Sequence, residues 1–199
     1  MKEEIQKALE VLRKGGIILY PTDTVWGIGC DATDPEAVAK VYALKRREDS
    51  KSLVLLASDM DMICRFVKEV PEMAIQLVEV NDKPMTIIYP GAVAGEKGSM
   101  KANRYCLAAN AVAEDGTVGI RIPMMDFCKE LVAKFGRPIV STSANISGEA
   151  TPKKFAEISE EVKANVDHIV AEHIEKGATG QSSSIIKVGL DYSIEIIRK

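Results

Sequence analysis

The 199-residue chain has no apolar run long enough to cross a bilayer, and its charged, amphipathic N-terminus is not a signal peptide. These absences predict a soluble, cytoplasmic protein without a membrane partner. Cysteine is sparse: Cys30, Cys64, Cys106 and Cys128 lie too far apart for a CxxC metal or redox pair and read as reduced, mostly buried thiols. Histidine is scarcer. His168 and His173 are five apart, off one helical face and without acidic or cysteine neighbours at ligand spacing, so they read as surface residues and not as a metal site. Charge of one sign is lacking too. A net charge of -3 and a pI near 5.6 exclude general attraction to nucleic acid, so any such surface would be a local patch. No repeat, Ser-His dyad or carboxylate pair stands out, and Gly95 to Ser99 does not satisfy the GxxxxGK[ST] phosphate loop.

The remaining composition, 46% apolar and 28% charged, is that of a soluble globular protein large enough to bury a core without staples. Lys2 to Lys14 places Ile5, Ala8, Leu9 and Leu12 at helical spacing, and Gly15-Gly16 supplies a left-handed stop. Ile17 to Tyr20 is a short apolar run, hence a buried strand, closed by Pro21. The hydroxyl-rich loop Thr22-Asp23-Thr24 follows at the strand end, where α/β proteins keep ligands, although hydroxyls also serve turns and caps. Gly27-Ile28-Gly29 does not fit a dinucleotide fingerprint. The strand ends at Pro21, and Asp34-Pro35 begins a separate helix as N-cap and first turn.

That helix, Pro35 to Arg47, delivers the run Lys45-Arg46-Arg47-Glu48-Asp49-Ser50-Lys51 just before the apolar strand Ser52 to Ala57. Cations suit a helix C-terminus by offsetting its dipole, so the run reads either as a solvated helix end or as an anion site. Asp59 to Lys68 and Glu72 to Glu79 are two helices split by Pro71, and Met85 to Tyr89 is a strand. A long Gly-, Ala- and Asn-rich connection to Gly116 carries one short helix around Tyr105 to Val112 and has the length of a functional lid or a disordered segment.

Thr117 to Pro123 is a strand with Arg121 in an apolar alternation, suited to an exposed face or an interior anion site. Phe127 to Phe135 is a helix. Ile139-Val140 leads into Ser141-Thr142-Ser143-Ala144-Asn145, a strand followed by small donors and accessible backbone N–H groups, which suits phosphate as well as a helix cap. Lys154 to Lys163 reads as a helix and Val166 to Val170 as a strand. A Gly/Ser loop, Gly177 to Ser184, precedes the last strands at Ile185-Ile186 and Ile194 to Ile197.

Together, YPTDTVWGIG, KRREDSKSL, TVGIRIP and PIVSTSANISG resemble, in order and spacing, the YrdC-like family of threonylcarbamoyl-AMP synthases, from Gly15 to Arg198. The resemblance implies one YrdC-like α/β domain over residues 1–199, with a twisted mixed sheet flanked by helices. It implies that L-threonine, bicarbonate and ATP become threonylcarbamoyl-AMP and pyrophosphate, with Mg2+ bridging phosphate oxygens. The product would serve a downstream tRNA-modifying transferase complex. The resemblance also implies residue roles. Lys45 and Arg47 (the KxR motif) and Ser143 and Asn145 (the SxN motif) are the catalytic set. Arg47, Lys51, Thr117, Ser143, Thr151 and Arg198 would bind ATP, and Thr24, Arg121, Ser141 and Ser183 would bind threonine.

Departures from the family pattern are Glu48 and Ser52 in place of prolines, which leave the cationic loop less rigid, Trp26 in place of a commoner Tyr, and Leu56 where some members use His. Two rivals stand beside this expectation. One is a YrdC-like protein that binds RNA without chemistry. The other is a carbamoyl-phosphate-using relative from hydrogenase maturation, which carries extra domains.

Overall fold

A computed structural model describes residues 1–47 and 53–199. Helix α1 (Lys2–Arg13) buries Ile5, Ala8, Leu9 and Leu12, and Gly15 at φ +70° turns the chain into strand β1 (Ile18–Tyr20). Strand β2 (Gly27–Gly29) follows antiparallel to β1. Asp34 caps α2 (Pro35–Lys45), accepting from Glu36 N–H and Ala37 N–H. Next come β3 (Val54–Leu56), α3 (Met60–Phe66), α4 (Glu72–Val80), β4 (Met85–Tyr89), β5 (Val118–Arg121) and α5 (Asp126–Phe135). The short β6 (Ile139–Val140) and β7 (Thr142–Ser143), then α6 (Glu160–Ala164), β8 (His168–Ile169), β9 (Ser184–Val188) and β10 (Ile194–Arg198) complete the order.

The strands form two mixed sheets, β7-β2-β1-β8 and β10-β9-β4-β5-β3-β6. One residue, Ser141, separates β6 in the larger sheet from β7 in the smaller. Its N–H donates to Val54 O at 2.8 Å, while Val140 N–H donates to Cys30 O at 2.9 Å. Residues 139–143 therefore sew the sheets together, and the chain opens a concavity where it steps between them. The expectation of a mixed sheet with flanking helices holds, with the strands shared between two sheets.

Several local expectations change. Gly27 to Gly29, to which the sequence assigns no element, is a buried strand despite the weak strand preference of glycine. The reason is tertiary: it pairs with both β1 and β7, packed so closely that a Cβ on Gly29 would lie 2.6 Å from the Tyr20 ring and 2.7 Å from Val140 O. The helix expected over Lys154 to Lys163 splits into a 3₁₀ turn, Phe155–Glu157, and α6, because Ile158 is extended and Ser159 caps the new start. Around Tyr105 to Val112 only a 3₁₀ turn, Ala109–Ala111, forms.

The long connection before β5 is no lid. Gly95 N–H donates to Leu107 O, Leu107 N–H to Val93 O, and Ala108 N–H to Ala32 O, pinning it away from the concavity. Cys30 and Cys128 are buried, whereas Cys64 is exposed and Cys106 half-buried. His173 is exposed, but His168 is half-buried beside Glu4 at 3.6 Å. No helix among the described residues is long and apolar enough to cross a membrane.

Candidate active site

The concavity between the sheets is a cavity of about 280 Å³. Its wall takes Thr22 and Thr24 from the β1–β2 loop, Gly119 and Arg121 from β5, and Ser141 and Ser143 from the step between sheets. Arg47 enters from the end of α2, and Ser183 and Arg198 from the last two strands. Three arginines and no carboxylate line it among the described residues, so it suits an anion.

Arg121 is 3% exposed and is not a surface residue of its strand. Its Nη1 donates to Asp23 Oδ1 at 2.5 Å and its Nη2 to Thr24 Oγ1 at 3.3 Å. Thr22 Oγ1 lies 2.8 Å from Thr24 Oγ1 and donates to Val25 O at 2.7 Å. Because a carbonyl only accepts, the single Thr22 proton goes to Val25, and Thr24 must donate to Thr22. The relay runs from Arg121 through Thr24 and Thr22 to Val25. Two atoms of this buried group have no partner, Arg121 Nε and Asp23 Oδ2. A buried arginine needs a counter-charge, and Asp23 supplies it. Sequence reasoning did not single out Asp23, although a carboxylate beside the hydroxyl loop was the available signal.

Lys45 and Arg47 part company at Arg46, a non-glycine residue with left-handed φ of 50°. Arg47 reaches the cavity. Lys45 turns inward, 2% exposed, and its Nζ donates to Ser143 O at 2.5 Å and Asn145 O at 2.6 Å. Ser147 N–H in turn donates to Lys45 O at 2.9 Å. Lys45 is therefore no solvated helix end; it fastens the SxN segment to α2. Burial first and Arg47 second push its ammonium down to about 8, while the two carbonyls oppose that shift by accepting from the charged form. Burial also lowers Arg47 and Arg198 from the ordinary arginine value.

On the opposite wall, Arg198 Nε donates to Ser183 O at 2.9 Å, and Ser183 Oγ shares a 2.8 Å hydrogen bond with Thr86 Oγ1. Trp26 also lines the cavity, its Nε1 donating to Glu175 Oε2 at 2.5 Å and its ring centroid 4.9 Å from that of Phe155.

Seven expected site residues thus line one cavity: Thr24, Arg47, Arg121, Ser141, Ser143, Ser183 and Arg198. Lys45 and Asn145 stand behind its wall, and Asn145 Nδ2 donates to Ile146 O and Glu149 O. Thr117 donates through both N–H and Oγ1 to Asp115 Oδ1, in a turn that opens β5. Thr151 is exposed outside the cavity. Lys51, with Glu48 and Ser52, lies outside the described residues. Thr86 and Ser182 also line the cavity and carried no sequence signal beyond a lone strand hydroxyl and a serine run. Among the described residues no cluster of His, Cys, Asp or Glu could hold a metal ion.

A family model described as "Telomere recombination", that of the Sua5, YciO and YrdC proteins, matches residues 10–199. The Hahella chejuensis protein named threonylcarbamoyl-AMP synthase is 32% identical over 82% of this chain and 83% of its own length. Escherichia coli YciO has a similar structure, with TM-score 0.77 and 25% identity, covering 100% of this chain and 90% of YciO. P. abyssi Sua5 complexed with L-threonine is similar at TM-score 0.73 and 25% identity. That match covers 92% of this chain but only 50% of Sua5.

Proposed function

The chain belongs to the Sua5/YciO/YrdC family, and from that premise we propose that it is a threonylcarbamoyl-AMP synthase, joining L-threonine, bicarbonate and ATP and releasing pyrophosphate. The observation that carries the reading is the single cavity in which three arginines face the hydroxyls of the hydroxyl loop and the SxN segment. The threonine amine attacks the bicarbonate carbon and water leaves, giving a carbamate. A carbamate oxygen then attacks the α-phosphorus of ATP, and the bond to the β-phosphate oxygen breaks.

These steps need positioning and charge neutralisation more than a covalent group on the protein. Arg47 and Arg198 neutralise the phosphates, with Ser143 donating from the phosphate-side wall. Arg121 and Thr24 receive threonine with Ser141 and Ser183 nearby; the threonine-bound Sua5 relative supports this substrate. Lys45 acts from behind, by holding Ser143 and Asn145 in place. Magnesium arrives with ATP. The extent of the family match supports one YrdC-like domain, and the product would pass to a tRNA-modifying transferase in the cytoplasm.

Pyrophosphate release by the purified chain, measured with ATP and with threonine or bicarbonate omitted in turn, tests the reading. Release should require all three. Release without them, or none with them, overturns it, and steeply salt-dependent RNA binding in its place would favour the binding rival.

A further inference from the structure

A second cavity of about 480 Å³ lies on the other side of the Asp23–Arg121 pair. It falls within the usual size range of small-molecule sites. Met124, Met125 and Phe127 at the start of α5 and Ile174 opposite give it apolar walls, and Asp126 and Lys176 give it both signs of charge. Asp23 lines it as well. That residue is 5% exposed, its Oδ1 is held by Arg121, and its Oδ2 has no partner. A buried carboxylate oxygen without a donor is costly and is the kind of group a ligand donor satisfies.

Two physical links join this cavity to the active site. The first is Asp23 itself, whose carboxylate fixes the guanidinium that lines the other cavity. The second is the segment 172–183. His173, Ile174, Lys176 and Gly177 face the second cavity, whereas Glu175 turns inward to hold Trp26. Thr179 N–H then donates to Asp23 O and Gly180 N–H to Thr24 O, and the segment ends at Ser182 and Ser183 in the first cavity. Gly177 and Gly180 both have positive φ, +97° and +67°, so the segment turns at points that suit glycine alone.

We propose that this second cavity is a regulatory site for an α-amino acid with an apolar side chain. Its ammonium would lie between Asp23 and Asp126, its carboxylate at Lys176, and its side chain among Met124, Met125, Phe127 and Ile174. Occupancy changes the setting of Arg121 and of the 172–183 segment, and with it the affinity for the substrate amino acid. By linkage the substrate alters regulator affinity by the same factor. The binding claim stands on the cavity alone; only the coupling rests on the proposed synthase reading.

The test titrates L-leucine and L-methionine into the whole chain by calorimetry without ATP, alone and with saturating L-threonine. It is repeated on Asp126→Asn and Lys176→Met, neither of which lines the first cavity. The expected result is one site per chain, weakened by each variant, with threonine affinity shifted roughly fivefold or more when the site is full. Absence of heat from both probes overturns the proposal. So does binding unaffected by either variant, simple displacement of threonine, or equally tight binding of isoamylamine, which lacks the carboxylate. An unchanged threonine affinity overturns the regulatory claim. These heats need no turnover, so their failure leaves the synthase reading standing, and a failed synthase assay leaves them readable.

Discussion

A single left-handed residue, Arg46, divides the work of the two cations beside it. Lys45 is buried against two carbonyls and Arg47 faces the cavity. Lys45→Ala should therefore lower stability by about 1–3 kcal/mol in urea titrations, because two part-buried carbonyls lose the ammonium and Ser143 O keeps only the Asn145 N–H. Pyrophosphate release should fall with it as the SxN wall loosens. A purely exposed lysine would change neither. The same residue makes stability depend on pH. Its folded value near 8 lies below the ordinary lysine value of 10.5, so across that window the folded chain has shed a proton that the unfolded chain still binds. Wild-type stability should accordingly rise with pH from about 8 to 10.5 relative to Lys45→Met, and melting curves at several pH values read this directly.

Arg121 sets a second expectation at this scale. Its two terminal nitrogens already serve Asp23 and Thr24, which aims the guanidinium without filling Nε. Lysine keeps the charge but not the fork. Arg121→Lys should raise the threonine KM roughly tenfold or more, the worth of a charge-assisted hydrogen bond of about 1.5–3 kcal/mol, with ATP affinity nearly intact. Equal loss of both affinities would assign Arg121 to the nucleotide or to the fold.

Among the elements, β2 shows how tertiary packing overrides local preference. Gly27-Ile28-Gly29 is a strand because it pairs with β1 and β7, and position 29 is glycine because Tyr20 and Val140 occupy the space of a side chain there. Gly29→Ala must push a ring and a backbone carbonyl aside. Its expected cost is about 1–3 kcal/mol, read from the urea midpoint. At Gly27 the nearest atom is Ser141 Oγ at 3.3 Å, so an added methyl there would crowd the cavity wall instead. The helix ends were more legible. The Asp34 cap and the Gly15 stop arise from side chain and backbone chemistry within a few residues, and both stand where the sequence placed them.

Across the molecule, the cavity gathers residues from Thr22 to Arg198, nearly the whole chain. Arg198 arrives on β10, whose residues are all exposed and which, among the described residues, pairs only with β9. A chain ending at Gly189 should thus keep its buried core and a cooperative melt while losing most pyrophosphate release, since one phosphate-side cation is gone. Loss of cooperative melting would show instead that β10 supports the fold.

The sequence by itself determined the α1 face, the cap of α2, the apolar strands and the list of hydroxyl and cationic motifs, because periodicity and capping act over a few residues. It also carried the family likeness, through four motifs read in order, and the family model matches residues 10–199. Only the tertiary structure decided which of those residues meet. The direction of Lys45 depends on a backbone turn at Arg46 and on carbonyls roughly a hundred residues away. The partner of Arg121 comes from a loop 98 residues distant. Whether a hydroxyl faces a cavity, a turn or a neighbour depends on how two sheets part at Ser141, and no local pattern encodes that separation.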